Sequence, residues 1–201
     1  MHNDRQEIAR EAARLMAEEG YADWAAAKHK AVARLGMRRP AMPSNAEVAS
    51  ALREHLQLFA ADETRDRLRE RRRLAVQIMR HLQSFRPRAA GALINGLMTE
   101  RSPLEIHLFA DPPEQVDIFL TDHNWDYDDA ELHLRHPDGR DIAVPMCLLN
   151  TDDGVVVELI VFDGGGARWS PTSPVDGKPM ARLDRAALEA LIADSASDAA
   201  A

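Results

Sequence analysis

A single cysteine, Cys147, is the only thiol in this 201-residue chain. An internal disulfide is therefore excluded, and a reducing compartment is expected. Its setting, Ala-Val-Pro-Met-Cys-Leu-Leu, is apolar and reads as a buried, inert thiol rather than a nucleophile. Long hydrophobic runs are missing too. None approaches the roughly 20 residues of a membrane span, so neither a transmembrane helix nor a membrane partner is expected. The first residues, Met-His-Asn-Asp-Arg-Gln-Glu, lack the basic start and apolar stretch of a secretory leader, which makes a cytoplasmic protein the expectation. No internal repeat is visible.

An apolar content of 45% is enough for a real core, and the length fits one domain or one domain with a helical appendage. The net charge of −8 is unevenly spread. Residues 1–88 balance at +6 and residues 89–201 at −14. A basic half joined to an acidic half implies two units with different partners, or two faces that attract each other.

The first half reads as helices. Asn3 to Glu19 places Ile8, Ala12, Leu15 and Met16 on one stripe, and a second helix runs from Asp23 to Leu35 before Gly36. After a linker with two prolines, Ser44 and Glu47 form a capping box for a third helix. Asp62 caps a long fourth helix to Gln83, whose stripe Leu74, Ile78, Leu82 and Phe85 should pack on the second half. The pattern then changes. Ala89–Ile94 and Leu104–Phe109 read as strands, and Asp111-Pro-Pro-Glu114 as an N-cap and first turn of a helix to His123. Asp126–Arg135 and Asp141–Leu149 flank the turn pair Asp138-Gly139. A last strand reaches Phe162, a long loop spans Gly164–Met180, and Asp184 caps a helix to Ile192. The expectation is an α+β protein with a helical unit at 1–88, a sheet unit at 89–193 and a disordered tail at 194–201.

The chemistry gathers at two strands. Gly91-Ala-Leu-Ile-Asn-Gly96 precedes Ser102-Pro-Leu-Glu-Ile-His-Leu-Phe109, and alternation puts Glu105 and His107 on one face. Some fifty residues on, Val155-Val-Val-Glu-Leu-Ile-Val-Phe162 holds one carboxylate, Glu158, in an apolar run. A carboxylate there is costly unless a metal, a cation or hydrogen bonds meet it.

This segment, about Ala89 to Phe162, resembles the signature of the polymerase-beta-type nucleotidyltransferase superfamily, especially its small bacterial members. The resemblance implies a mixed sheet with flanking helices, a glycine-punctuated turn holding nucleotide phosphates, and carboxylates binding Mg²⁺ or Mn²⁺ for nucleotidyl transfer. Gly91 and Gly96 keep the glycine spacing, and Ser102 falls where a serine precedes the acids. In one register the paired acids align with Pro103 and Glu105, in another with Glu105 and His107. Glu158 matches the third acid in both, while Ala92 replaces the phosphate-contacting serine. The resemblance thus implies Glu105, His107 and Glu158 as catalytic residues and Glu105 and Glu158 as metal ligands. Gly91, Gly96 and Ser102 would bind a nucleoside triphosphate, in a transferase whose acidic triad is incomplete. The alternative is a catalytically inactive module that binds RNA or a protein through the basic helical half.

Each residue also has a plainer reading. Glu105 as a solvated edge residue, His107 as a structural histidine and Glu158 as a hydrogen-bonded structural carboxylate all fit the same letters. Imidazole would suit manganese or zinc better than magnesium. His133 and His136, beside Asp126, Asp128, Asp129 and Glu131, read as a hydrated hairpin or a weak divalent site. The arginines from Arg65 to Arg73 read as a solvated helix or a polyanion surface. The loop of Arg168 and Lys178 reads as a lid whose cations would meet phosphates.

Overall fold

Helical periodicity makes the first part of the chain a set of amphipathic helices, and in the computed structural model residues 2–59 and 61–197 are described. These helices are α1 (His2–Glu18), α2 (Trp24–Leu35), α3 (Asn45–Phe59) and α4 (Ala61–His81). Asp23 caps α2 through its side chain, and Gly36 closes that helix at φ +64°. The capping box on α3 is reciprocal: the Ser44 amide donates to Glu47 Oε2 at 2.7 Å, and the Glu47 amide to Ser44 Oγ at 3.2 Å. Alternate-face strands follow. They are β1 (Arg88–Ala89), β2 (Leu104–Phe109), β3 (Asp128–Arg135), β4 (Asp141–Asn150) and β5 (Val156–Phe162). Three further helices, α5 (Ala92–Asn95), α6 (Gln115–Asp122) and α7 (Arg185–Ser197), complete an α+β protein.

The chain forms two compact units. One comprises residues 1–67, 96–102 and 174–177, and the other residues 68–95, 103–173 and 178–201. The expected boundary at 88 is a linear one, and the observed boundary falls inside α4. In the first unit, Ile8, Ala12, Leu15, Ala27, Ala31, Val48, Leu52 and Leu97 share one buried cluster. The stripe Ile78, Leu82 and Phe85 is buried in the second unit, so it belongs to the core of the sheet unit itself.

The five strands lie in the order β1-β2-β5-β4-β3. Only β2 and β5 pair in parallel; the other neighbours are antiparallel. On one sheet face Leu104, Ile106, Leu108, Val157, Leu159 and Val161 are all buried. On the other, Phe109, Val144, Ile160 and Phe162 form a smaller cluster with Trp169 against it. This second face carries Glu105, His107 and Glu158.

Three expectations are corrected. Ala89–Ile94 is not a strand: β1 ends at Ala89, Gly91 turns the chain at φ +59°, and its carbonyl accepts from Ile94 and Asn95 to begin α5. Asp111 is not an N-cap, because α6 starts at Gln115 and its cap position is Glu114. Pro112 and Pro113 have no N–H to offer the Asp111 carboxylate. The tail is helical as far as Ser197; residues 198–201 lie outside the described residues.

Two arginines of α4 also depart from the expectation of a solvated helix or a polyanion surface. Arg72 is buried, with Nε donating to the Leu93 carbonyl at 2.9 Å and Nη1 to Ser195 Oγ at 3.2 Å. Arg69 Nη2 donates to the Ser195 carbonyl at 3.3 Å. Both cations meet the last turn of α7, where unpaired carbonyls favour positive charge. Arg72 is therefore a folding residue, and a charge reversal there would strand a buried charge rather than probe a surface.

Candidate functional site

Glu105 and Glu158 are direct partners in the parallel β2–β5 ladder. Paired residues on adjacent strands project to the same face, and strands lie about 4.8 Å apart. The two carboxylates are therefore lateral neighbours. Burial, with the Glu105 charge adding to it, pushes the Glu158 carboxyl up to about 7. Among the described residues no hydrogen bond or ion pair reaches the Glu158 carboxylate. That is uncommon for a half-buried acid and leaves its charge uncompensated.

Glu105 is better provided for. Its Oε1 sits 2.7 Å from His107 Nε2. Arg182 Nε donates to His107 Nδ1 at 2.7 Å. A guanidinium has only donors, so Nδ1 is the accepting nitrogen and the ring proton on Nε2 points at Glu105. Burial is the main reason the imidazole is held below its ordinary value, and the resulting neutral ring is the form Arg182 requires. His107 is wholly buried, and both of its nitrogens are engaged. It offers no lone pair to a metal and no open base, so the roles of ligand and base assigned to it from the resemblance have no free atom to act through.

Arg182 is itself held from several sides. Nη1 donates to the carbonyls of Gly166 at 3.1 Å and Trp169 at 2.6 Å. Its Cζ lies 4.5 Å from the Phe162 ring centroid and 5.2 Å from that of Phe109. Arg88, on β1, is the ladder partner of His107. The face thus runs from two acids at Glu105 and Glu158, through a neutral histidine, to a cationic end.

Gly91 sits against the acids, whereas Gly96 and Ser102 belong to the other compact unit. A Cβ at Gly91 would overlap Glu105 Oε2, and the φ of +59° already favours glycine. Gly91→Ala is expected to cost about 1–2 kcal/mol and to displace the Glu105 carboxylate. Denaturant melts together with a divalent-cation titration would check it; unchanged cation affinity would show that the turn does not shape this site. Ser102 instead binds locally, its Oγ 2.9 Å from both the amide and the hydroxyl of Thr99.

The loop residues singled out for their charge stand elsewhere. Arg168 and Lys178 are exposed, and Thr172 and Pro179 pair in a local bridge. Arg182, just beyond the loop, is the residue the sequence reading missed; its only signal was a lone cation before the Asp184 cap. A second group also went unnoticed. The ligand atoms of Asp117, Asp129 and Cys147 lie within 4.8 Å of one another on the opposite sheet face. The Cys147 thiol donates to Asp117 Oδ1 at 3.4 Å, and burial pushes it up to about 12. A thiol that stays protonated at neutral pH is inert, as its apolar setting suggested.

The helical unit contains a cavity of about 810 Å³ lined from α1, α2 and α3, with exposed Leu58 and Phe59 among its lining residues. It brings together charged pairs and His55, whose Nε2 lies 3.6 Å from Glu18 Oε1. No helix of the described residues is long and apolar enough to cross a membrane. No family model, curated protein or solved structure matches the chain.

Proposed function

We propose that this is a nucleotidyltransferase-like protein whose sheet unit binds a nucleoside triphosphate together with a divalent cation, Mg²⁺ or Mn²⁺, through Glu105 and Glu158. One observation carries the reading. Two carboxylates sit side by side in register, and one of them, half-buried, has no cation or donor to meet it. The donor set fits the ion. Magnesium is commonly held by one or two carboxylates, with water and substrate phosphates completing the octahedron. When bound, the cation would neutralise the acids and bridge to phosphate oxygens.

Pro103 supplies no acid, and the His107 nitrogens are both taken. The residues therefore favour binding over transfer, which a third acid or a free base would support. This leans toward the catalytically inactive form of the fold. RNA or protein binding through the basic helices has less to stand on, since Arg72 is buried and Arg69 docks on α7.

Calorimetric titration with Mn²⁺, alone and with ATP, tests the reading. One Mn²⁺ per chain is expected, with ATP binding that depends on it. Glu105→Gln and Glu158→Gln should each weaken Mn²⁺ at least about tenfold. Variants that bind Mn²⁺ and ATP as the parent does would overturn the assignment.

A further inference from the structure

Beside the cationic end of the same sheet face lies a cavity of about 290 Å³ lined by Arg86, Arg88, Phe109, Ala167, Ser170 and Arg182. Three arginines and a serine line it, and no acidic residue does. Among the described residues none of these arginines forms an ion pair. Arg88 and Arg182 repel each other, and the nearest opposing charge, Glu105, acts on Arg182 from across His107, so an anion in the cavity would relieve the remaining repulsion.

The groups are also positioned with care. Arg86 holds φ +48°, a left-handed conformation that an arginine rarely adopts. Its Cζ lies over the Phe109 ring at 5.9 Å. Arg182 has spent Nε on His107 and Nη1 on two carbonyls, and its remaining nitrogen, Nη2, is buried with no hydrogen-bond partner. Buried donors are nearly always satisfied, and this one belongs to a guanidinium that lies over the Phe109 and Phe162 rings. The wall beside it is fixed in advance: Asp163 Oδ1 accepts from the Gly165 and Gly166 amides at 3.0 and 2.9 Å. That turn presents the Gly166 and Trp169 carbonyls that orient Arg182.

We infer that this cavity is an anion site for a phosphate dianion, free or as the terminal group of a small phosphomonoester, held by Arg86, Arg88 and Arg182 with Ser170 Oγ at its wall. Guanidinium geometry matches the paired oxygens of a phosphate, and a dianion offsets clustered positive charge better than a monovalent ion. The volume stands at the lower limit of ligand pockets, which suits a small ester rather than an extended chain. The inference does not depend on the cation reading, because none of these groups is one of its ligands.

The test is thermal shift and calorimetry in chelator-treated, metal-free buffer, with inorganic phosphate in one arm and methyl phosphate in another, against sodium chloride at equal ionic strength. Saturable binding of at least one phosphate compound is expected, with no matching effect of chloride. The arm that binds distinguishes free phosphate from an ester. Arg86→Gly suits the backbone it replaces, so the fold should persist while affinity drops on the order of tenfold. Arg88→Gln should do the same. Glu158→Gln should bind phosphate like the parent, which separates this site from the cation site. Absence of saturable binding in the parent up to about 10 mM, weaker than the millimolar range of simple contacts, would overturn the inference. Undiminished binding by both arginine variants would do so as well.

Discussion

Glu158→Gln is expected to stabilise the protein by about 2–3 kcal/mol at pH 8 and to change it little at pH 5. The Glu158 carboxyl is raised from 4.5 to about 7 by burial and by the Glu105 charge. A raised carboxyl binds its proton more tightly in the folded state than in the unfolded one. Below pH 4.5 both states are protonated and nothing is lost. Between 4.5 and 7 stability falls as pH rises, because folding must retain a proton that the unfolded chain has already released. Above 7 the full penalty is present. At 1.36 kcal/mol per pH unit the span from 4.5 to about 7 is worth about 3.4 kcal/mol, and the part-open position of the side chain lowers it to about 2–3 kcal/mol. Glutamine keeps the shape and carries no charge. Urea melts of both proteins at pH 5 and 8 provide the comparison, and parallel pH profiles would show that Glu158 is compensated in the fold. Adding Mn²⁺ at pH 8 should lift the parent selectively, since the cation removes the same penalty.

The largest loss of stability is expected from Phe162→Ala, about 3–5 kcal/mol. Phe162 is 1% exposed at the end of β5. Its ring centroid lies 5.0 Å from that of His107, 5.8 Å from Phe109 and 5.4 Å from Trp169. The backbone closes over it as well, since a Cβ at Gly166 would press on the Phe162 Cβ. Alanine would empty this volume and remove the aromatic face under Arg182. The Arg182–His107 hydrogen bond should then loosen, so phosphate binding should suffer along with stability. Phe162→Leu retains most of the volume and should cost less than half as much. A loss under about 1 kcal/mol for alanine would mean that neighbouring side chains collapse into the space.

Local signals account for much that was legible. The Ser44–Glu47 box, the Asp23 cap with Gly36, the Asp138-Gly139 turn and β2 at Leu104–Phe109 each rest on neighbours within a few residues. Such features form wherever the letters occur, because the partners are already close. The readings that failed needed distant partners. Ala89–Ile94 has the composition of a strand, yet β1 finds ladder partners only at Arg88 and Ala89. The Arg65–Arg73 series looks uniform in sequence, but only the arrival of Ser195 and Leu93 makes Arg72 a buried residue.

The candidate site divides in the same way. Alternation along β2 places Glu105 and His107 on one face, and the apolar run around Glu158 marks that carboxylate as costly; both follow from the order of residues alone. Their meeting is a matter of register. A shift of one residue between β2 and β5 would turn Glu158 to the opposite face, and only the packed sheet selects the pairing that aligns it with Glu105. Tertiary structure likewise brought Arg182 to His107 across 75 positions of chain and Arg86, Arg88 and Arg182 to one cavity. Spacing rules reach only as far as a helix turn or a strand pleat, while the cationic pocket is closed by contacts between segments that no local periodicity relates.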